Sequence, residues 1–400
     1  MVVPQDIAEN DELVYVDHAA TTPMRSSAVE AMVPFLAHEY ANPSGSHRFA
    51  RRARQAIDEA RDMVAEVIGC TPGEVVFTGS GTEGDNMAIR GVIERRGGRA
   101  VCSAAEHHAV LHCVEHEHGH VLPTDEWGRI DLDHLDALLA AAPDTGPDAI
   151  NVVSAMAVNN ETGSITDLEA VSKVVRRRAP HAVLHTDAVQ AACWIDLRAV
   201  WPHVDALALS AHKFGGPKGV GVLAMRNGAP IAPLVLGGGQ ERDRRSGTHN
   251  VAGIVATAIA FVETDRERRA EHERVARLRE RLIDGVSVVG DMYRTMPADR
   301  SVPGVAHLCF PGVENEALLY LLDEAGVCAS AASACASGAM EPSHVLAAMG
   351  VDRSLAHGAL RLSLGHTTTE HDVDRVVEAV VSAVRHLRER AANKKSGVRS

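Results

Sequence analysis

The chain has 400 residues, more than one typical domain, so two domains are expected. Its apolar share of 46% is that of a globular chain, and with 3% aromatics the core must be filled mostly by Ala, Val and Leu. The net charge of −13 argues against nucleic acid as a direct partner. The opening residues lack a basic stretch followed by a long apolar one, and no apolar run is long enough to span a bilayer. A cytoplasmic protein is expected, with no membrane partner. Seven cysteines, odd in number and without CxxC spacing, exclude a disulfide framework and a structural zinc site as expectations.

From residue 13 to about 260 the pattern alternates strand and helix. Strands are expected at 74–78, 99–103, 149–154, 182–186, 206–210 and 220–225, with amphipathic helices such as 45–68 and 168–178 between them. This is the pattern of an α/β chain with a mostly parallel sheet wrapped by helices, in which ligands sit beyond the carboxyl ends of the strands. Residues 264–281 read as a long, charged, solvated helix. It leads into a smaller α/β domain with strands near 287–290, 305–309 and 360–364 and a closing helix at 370–390. The expected division is a large domain over 13–260, a small C-terminal domain over 261–390, and a disordered basic tail over 391–400.

Polar motifs gather at the expected strand ends. Gly79-Ser80-Gly81-Thr82-Glu83-Gly84-Asp85-Asn86 follows one strand and opens a helical run. Its glycines let backbone N–H groups approach a phosphate at a helix start, although the pattern also fits a helix-capping turn. Without GK[ST] it is not a nucleotide P-loop. His107 is the first histidine after the 99–103 strand and is suited to stacking on an aromatic cofactor and to exchanging protons. His108, His112 and His116 share i,i+4 spacing, but no carboxylate or cysteine completes a clear metal set, so no metal is expected. Asp187 ends a strand, where an acid can keep a pyridine nitrogen protonated or cap the next segment, and Gln190 lies three residues on.

Lys213 closes the run Ala206-Leu207-Ala208-Leu209-Ser210-Ala211-His212-Lys213 and is one of only five lysines. A lysine at a strand end, hemmed by apolar chain, can form a Schiff base with pyridoxal phosphate or can simply cap the strand. Cys335 lies among small residues, Ser333-Ala334-Cys335-Ala336-Ser337-Gly338, where exposure would make its thiolate a nucleophile. An inert cysteine in a small-residue helix is the other reading. Cys70, Cys193, Cys309 and Cys328 fit a structural role better. Arg361, inside an apolar strand, needs an acidic partner or an anionic ligand, and its planar fork suits an α-carboxylate.

Taken together the segments resemble the cysteine desulfurases, pyridoxal-phosphate enzymes of the class V aminotransferase group. The most specific matches are Val158-Asn159-Asn160-Glu161-Thr162-Gly163, Ser210-Ala211-His212-Lys213, Arg245-Ser246-Gly247-Thr248, Ser333-Ala334-Cys335 and Glu341-Pro342-Ser343. The resemblance implies fold type I and assigns roles. Lys213 would hold the cofactor as a Schiff base and move the substrate proton, and His107 would stack on the ring. Asp187 would pair with the ring nitrogen and Gln190 with the ring oxygen. Gly81 lies in the phosphate cup, and Thr82, Ser210 and His212 would bind the phosphate, joined by Thr248 from the other subunit of a homodimer. Asn160 and Arg361 would bind the substrate carboxylate. Cys335 would take sulfur from L-cysteine as a persulfide and deliver it to an iron–sulfur scaffold or a tRNA-thiolation protein. Two rivals are a selenocysteine lyase and a non-catalytic His-rich metal-binding protein.

Overall fold

The computed structural model describes residues 13–331 and 343–397. Its contacts gather the chain into two compact units. One holds residues 21–160 and 164–269; the other holds the described residues 13–20, 161–163, 270–331 and 343–397. In chain order the strands among the described residues are β1 Val14–Tyr15, β2 Val75–Thr78, β3 Arg99–Ser103, β4 His120–Leu122, β5 Ile150–Ser154, β6 Val183–Asp187, β7 Ala206–Ser210, β8 Gly221–Met225, β9 Tyr293–Arg294, β10 Val305–Cys309, β11 Val327–Cys328 and β12 Ala359–Ser363.

The first unit is an α/β structure around a seven-stranded sheet in the order β2-β8-β7-β6-β5-β3-β4. Its pairings are parallel except for the two made by β8, which runs against both β2 and β7. Strands β5, β6, β7 and β8 are buried along their whole length, which is why β7 and β8 read as nearly continuous apolar runs rather than alternating ones. Because β8 alone is reversed, the carboxyl ends of β2, β3, β5, β6 and β7 share one edge of the sheet. The segments after those ends begin at Gly79, Ala104, Ala155, Ala188 and Ala211.

Helix ends follow local chemistry. Helix Arg48–Ile68 starts where the His47 ring accepts the Ala50 N–H and stops at Gly69, whose φ of 82° suits glycine. Helix Leu168–Arg178 is capped by the Asp167 carboxylate on the Ala170 N–H and ends in Arg176, Arg177 and Arg178, charges that match the helix dipole. Helix Val251–Val286 is longer than the charged stretch marks it in the sequence.

In the second unit β12, β10 and β9 form an antiparallel sheet, and β1 pairs with β11 in parallel. Two expectations are corrected here. Residues 287–290 are not a strand: Ser287–Val289 form a 3-10 turn, and the left-handed Gly290 and Asp291 reverse the chain before β9. The closing helix runs over Glu370–Gly397, so residues 391–397 are helical rather than a disordered tail. No helix among the described residues is long and apolar enough to cross a membrane.

Candidate active site

The Gly-rich turn after β2 is held from several sides. The Ser80 hydroxyl accepts the Glu83 N–H at 3.1 Å and so caps helix Gly81–Arg96. The Glu83 carboxylate accepts the Gly79 N–H at 2.8 Å and a guanidinium N–H of Arg245 at 2.7 Å, tying the turn to the segment that leads to Thr248. A Cβ on Gly81 would lie 2.6 Å from a methyl of Val189 and 3.3 Å from the Cβ of Ser210. The helix start therefore sits directly over the ends of β6 and β7, an approach that only glycine permits. Thr82 is exposed and lines a cleft of about 550 Å³ with Asn86, His107 and His108.

Asp187 is buried at the end of β6, where one carboxylate oxygen accepts the Val189 N–H at 2.9 Å. Burial pushes its carboxyl above the usual range, opposed by His107, that N–H and Lys213. Lys213 ends the 3-10 turn that follows β7, and the Cys193 thiol donates to its carbonyl at 3.4 Å. Cys193 thus lies against the lysine segment, a neighbour the sequence did not suggest. His107 caps helix His108–His116, its Nδ1 accepting the Ala109 N–H at 3.1 Å, which leaves the proton on Nε2. His212 meets the Thr21 hydroxyl at 3.1 Å through Nδ1. Burial, with Lys213 and Lys218 nearby, lowers its pKa to about 4, so it is a neutral ring. Ser210 is buried at the tip of β7, Gln190 is half-buried three residues beyond Asp187, and Thr248 is exposed. His108 and His112 stack at 4.6 Å, but no group of three or more side chains placed to hold a metal occurs among the described residues.

Three expected residues remain. Asn160 is half-buried at the end of the first unit's segment 21–160. Arg361 lies on β12 in the second unit, opposite His307 of β10, and donates to the Asp17 carboxylate at 2.7 Å. The acidic partner that its burial demands is Asp17, far away in sequence and invisible to local patterning. Cys335 lies outside the described residues. Ser343, where the described residues resume, donates its hydroxyl to the Glu161 carboxylate and caps helix His344–Ala348.

The profile of the family described as Aminotransferase class-V matches residues 14–376. Fold and strand-edge site together define a protein of that class. The cysteine desulfurase IscS of Dictyoglomus turgidum is 41% identical over 388 residues, 94% of this chain and 95% of that protein. The IscS-like cysteine desulfurase of Mycobacterium tuberculosis is 41% identical over 393 residues, 95% of this chain and 98% of its own. A solved NifS-like protein has a TM-score of 0.86 at 35% identity, covering 94% of this chain and 100% of that one. The chain belongs to the cysteine desulfurases, pyridoxal-phosphate-dependent enzymes of the class V aminotransferase family.

The residues present fit that cofactor. A buried acid beside His107 and Lys213 matches a pyridine nitrogen, and the close-packed glycine at a helix start matches a phosphate.

Proposed function

We propose that this protein converts L-cysteine to L-alanine, keeps the sulfur as a persulfide on Cys335 and passes it to an acceptor protein. The observation that carries the reading is the gathering of Lys213, Asp187 and a glycine-opened helix start at one edge of a mostly parallel sheet. Bound there, pyridoxal phosphate supplies an electron sink for the substrate carbon. Gly81, Thr82, Ser210 and His212 hold its phosphate, with Thr248 reaching in from a second copy of the chain. Asp187 and Gln190 face the ring nitrogen and ring oxygen, and His107 lies on the ring. Asn160 and Arg361 orient the substrate carboxylate, to which the planar Arg361 guanidinium is suited.

Two groups move atoms. Lys213 Nζ takes and returns the substrate's Cα proton. Cys335 forms an S–S bond with the substrate sulfur as its C–S bond breaks; the electron pair left on carbon takes up a proton and becomes the methyl group of alanine. We place the protein in the cytoplasm, where six free cysteines among the described residues suit a reducing compartment. We take the acceptor to be an iron–sulfur scaffold or a tRNA-thiolation protein.

The test is alanine release from L-cysteine with a thiol reductant, for cofactor-loaded wild type beside Cys335→Ala. Alanine from the wild type alone supports the reading. Alanine from neither protein, despite bound cofactor, overturns it in favour of selenocysteine or another amino acid. Equal alanine from both removes Cys335 from the mechanism.

A further inference from the structure

Beneath Asp187 lies a polar cluster to which the reading above gives no role. Asp85, Glu106 and Asp187 are three buried carboxyls within electrostatic reach of one another. Asp85 sits early in helix Gly81–Arg96, next to Gly84, whose Cβ would lie 3.3 Å from that of Ala208 on β7; the helix thus carries Asp85 down onto the sheet. His185 stands two residues before Asp187 on β6, on the same sheet face. Its Nε2 lies 3.4 Å from Asp85 Oδ1, and neither atom has another hydrogen-bond partner among the described residues. Its Nδ1 lies 2.9 Å from the hydroxyl of Ser154, its register neighbour on β5. Asp85 is 1% exposed, His185 and Ser154 0%.

Three carboxylates so placed cannot all stay ionised. Asp187 has His107, Lys213 and the Val189 N–H to hold its charge. Glu106 accepts the Met156 N–H at 2.7 Å. Asp85 meets only burial and the other two acids, all of which push its carboxyl well above the usual range. His185 offers no compensating charge, because burial lowers its pKa to about 3.

We propose that Asp85 is a neutral carboxylic acid in the working enzyme. It donates to Nε2 of neutral His185, and the two form with Ser154 a positioning unit that leaves Asp187 as the anion facing the cofactor ring. The inference rests on the reading of Asp187 as the ring nitrogen's partner. An ion pair between Asp85 and His185 is the competing arrangement, and it would place a second negative group beside Asp187.

Infrared difference spectra of the holoenzyme at neutral pH, wild type against Asp85→Asn, should show one protonated carboxyl band lost in the variant. An asparagine amide donates to His185 as a carboxylic acid does. Asp85→Asn should therefore keep cofactor affinity and the pH midpoint of the cofactor's absorption band. Asp85→Ala leaves His185 Nε2 without a donor and should weaken cofactor binding roughly tenfold and move that midpoint. No carboxyl band lost, or wild-type affinity and midpoint in Asp85→Ala, overturns the proposal. If Asp85→Ala does not fold, Asp85→Asn decides: an unmoved midpoint supports the neutral acid, and a shifted one supports the ion pair and overturns it. Asp187→Asn separates the two readings. An unchanged band there would remove Asp187 from the ring, and with it the unit's purpose, while the infrared result still reports the protonation of Asp85.

Discussion

Asp243 is the last of three consecutive non-glycine residues in the left-handed region, at φ 62° after 50° at Glu241 and 59° at Arg242. Each such residue costs about 1 kcal/mol against glycine, somewhat less for aspartate. Asp243→Gly is therefore expected to raise stability by up to about 1 kcal/mol in chemical denaturation, since the new residue adopts the same backbone freely. A loss of stability would mean that the aspartate side chain gives more than its backbone costs. Lys213 makes the opposite case, a residue whose proposed value is chemical. Lys213→Ala should fold normally, because the side chain is half-exposed beyond the end of β7. If Lys213 moves the substrate proton as proposed, turnover should fall roughly a thousandfold or more. Alanine release under steady-state conditions checks it.

The strained segment persists because one buried side chain over-determines it. Glu241 accepts Arg61 Nη2 at 2.7 Å, Arg61 Nη1 at 2.8 Å and the Phe77 N–H at 2.9 Å, and lies 2.9 Å from His249 Nε2. Burial opposes its charge, but Arg61 and His249 outweigh it and hold the carboxyl at about 2. Arg61 comes from helix Arg48–Ile68 and stacks 4.9 Å over the Phe77 ring, so one carboxylate joins a helix, β2 and the segment leading to Thr248. Glu241→Ala would bury the Arg61 charge without its partner and should cost about 3–5 kcal/mol. Glu169→Gln, at the exposed Lys173 pair, should leave the denaturation midpoint unmoved. At this scale the sequence was read well where one element speaks for itself. Strands β3, β7 and β10 and helix Leu168–Arg178 match their expected bounds, since a buried strand is an apolar run and a capped helix carries its own signals. The strand expected at 287–290 failed because Ser-Val-Val suits either state, and only the reversal at Gly290 and Asp291 decides. The positions of Asp187 and Lys213 at strand ends were legible for the same local reason. Asp17, Glu241, Asp85 and His185 were not, because each acts through a partner that only the topology supplies.

Across the whole molecule, buried titratable groups of opposite sense set the pH at which the fold is firmest. His18, His185 and His307 are buried, and their pKa values fall to about 4, 3 and 3, with burial the main cause in each case. An imidazole that titrates at 6.5 when unfolded binds fewer protons in the fold. The stability these rings share is complete above pH 6.5 and is lost as the pH falls toward 4 and 3. Glu106 acts the other way. Burial raises its carboxyl to about 8, the Met156 N–H opposing and Asp187 reinforcing, so its contribution is complete below 4.5 and is lost as the pH rises through 8. Asp85, raised well above the usual range, has the same sign. His212, lowered to about 4, joins the rings, and Asp187, raised by burial, joins the acids; between pH 6.5 and 8 the rings no longer titrate and the acids alone lose stability. The apoprotein should therefore lose stability as the pH rises above 6.5. Between there and 8, Glu106 should remove up to about 1.4 kcal/mol per pH unit. Melting temperatures across pH 5 to 9 would trace this loss. Glu106→Gln keeps an oxygen for the Met156 N–H but has no proton to lose, so it should flatten the alkaline limb and leave the acid limb in place. An alkaline limb unchanged in that variant would mean that Glu106 is already ionised in the fold.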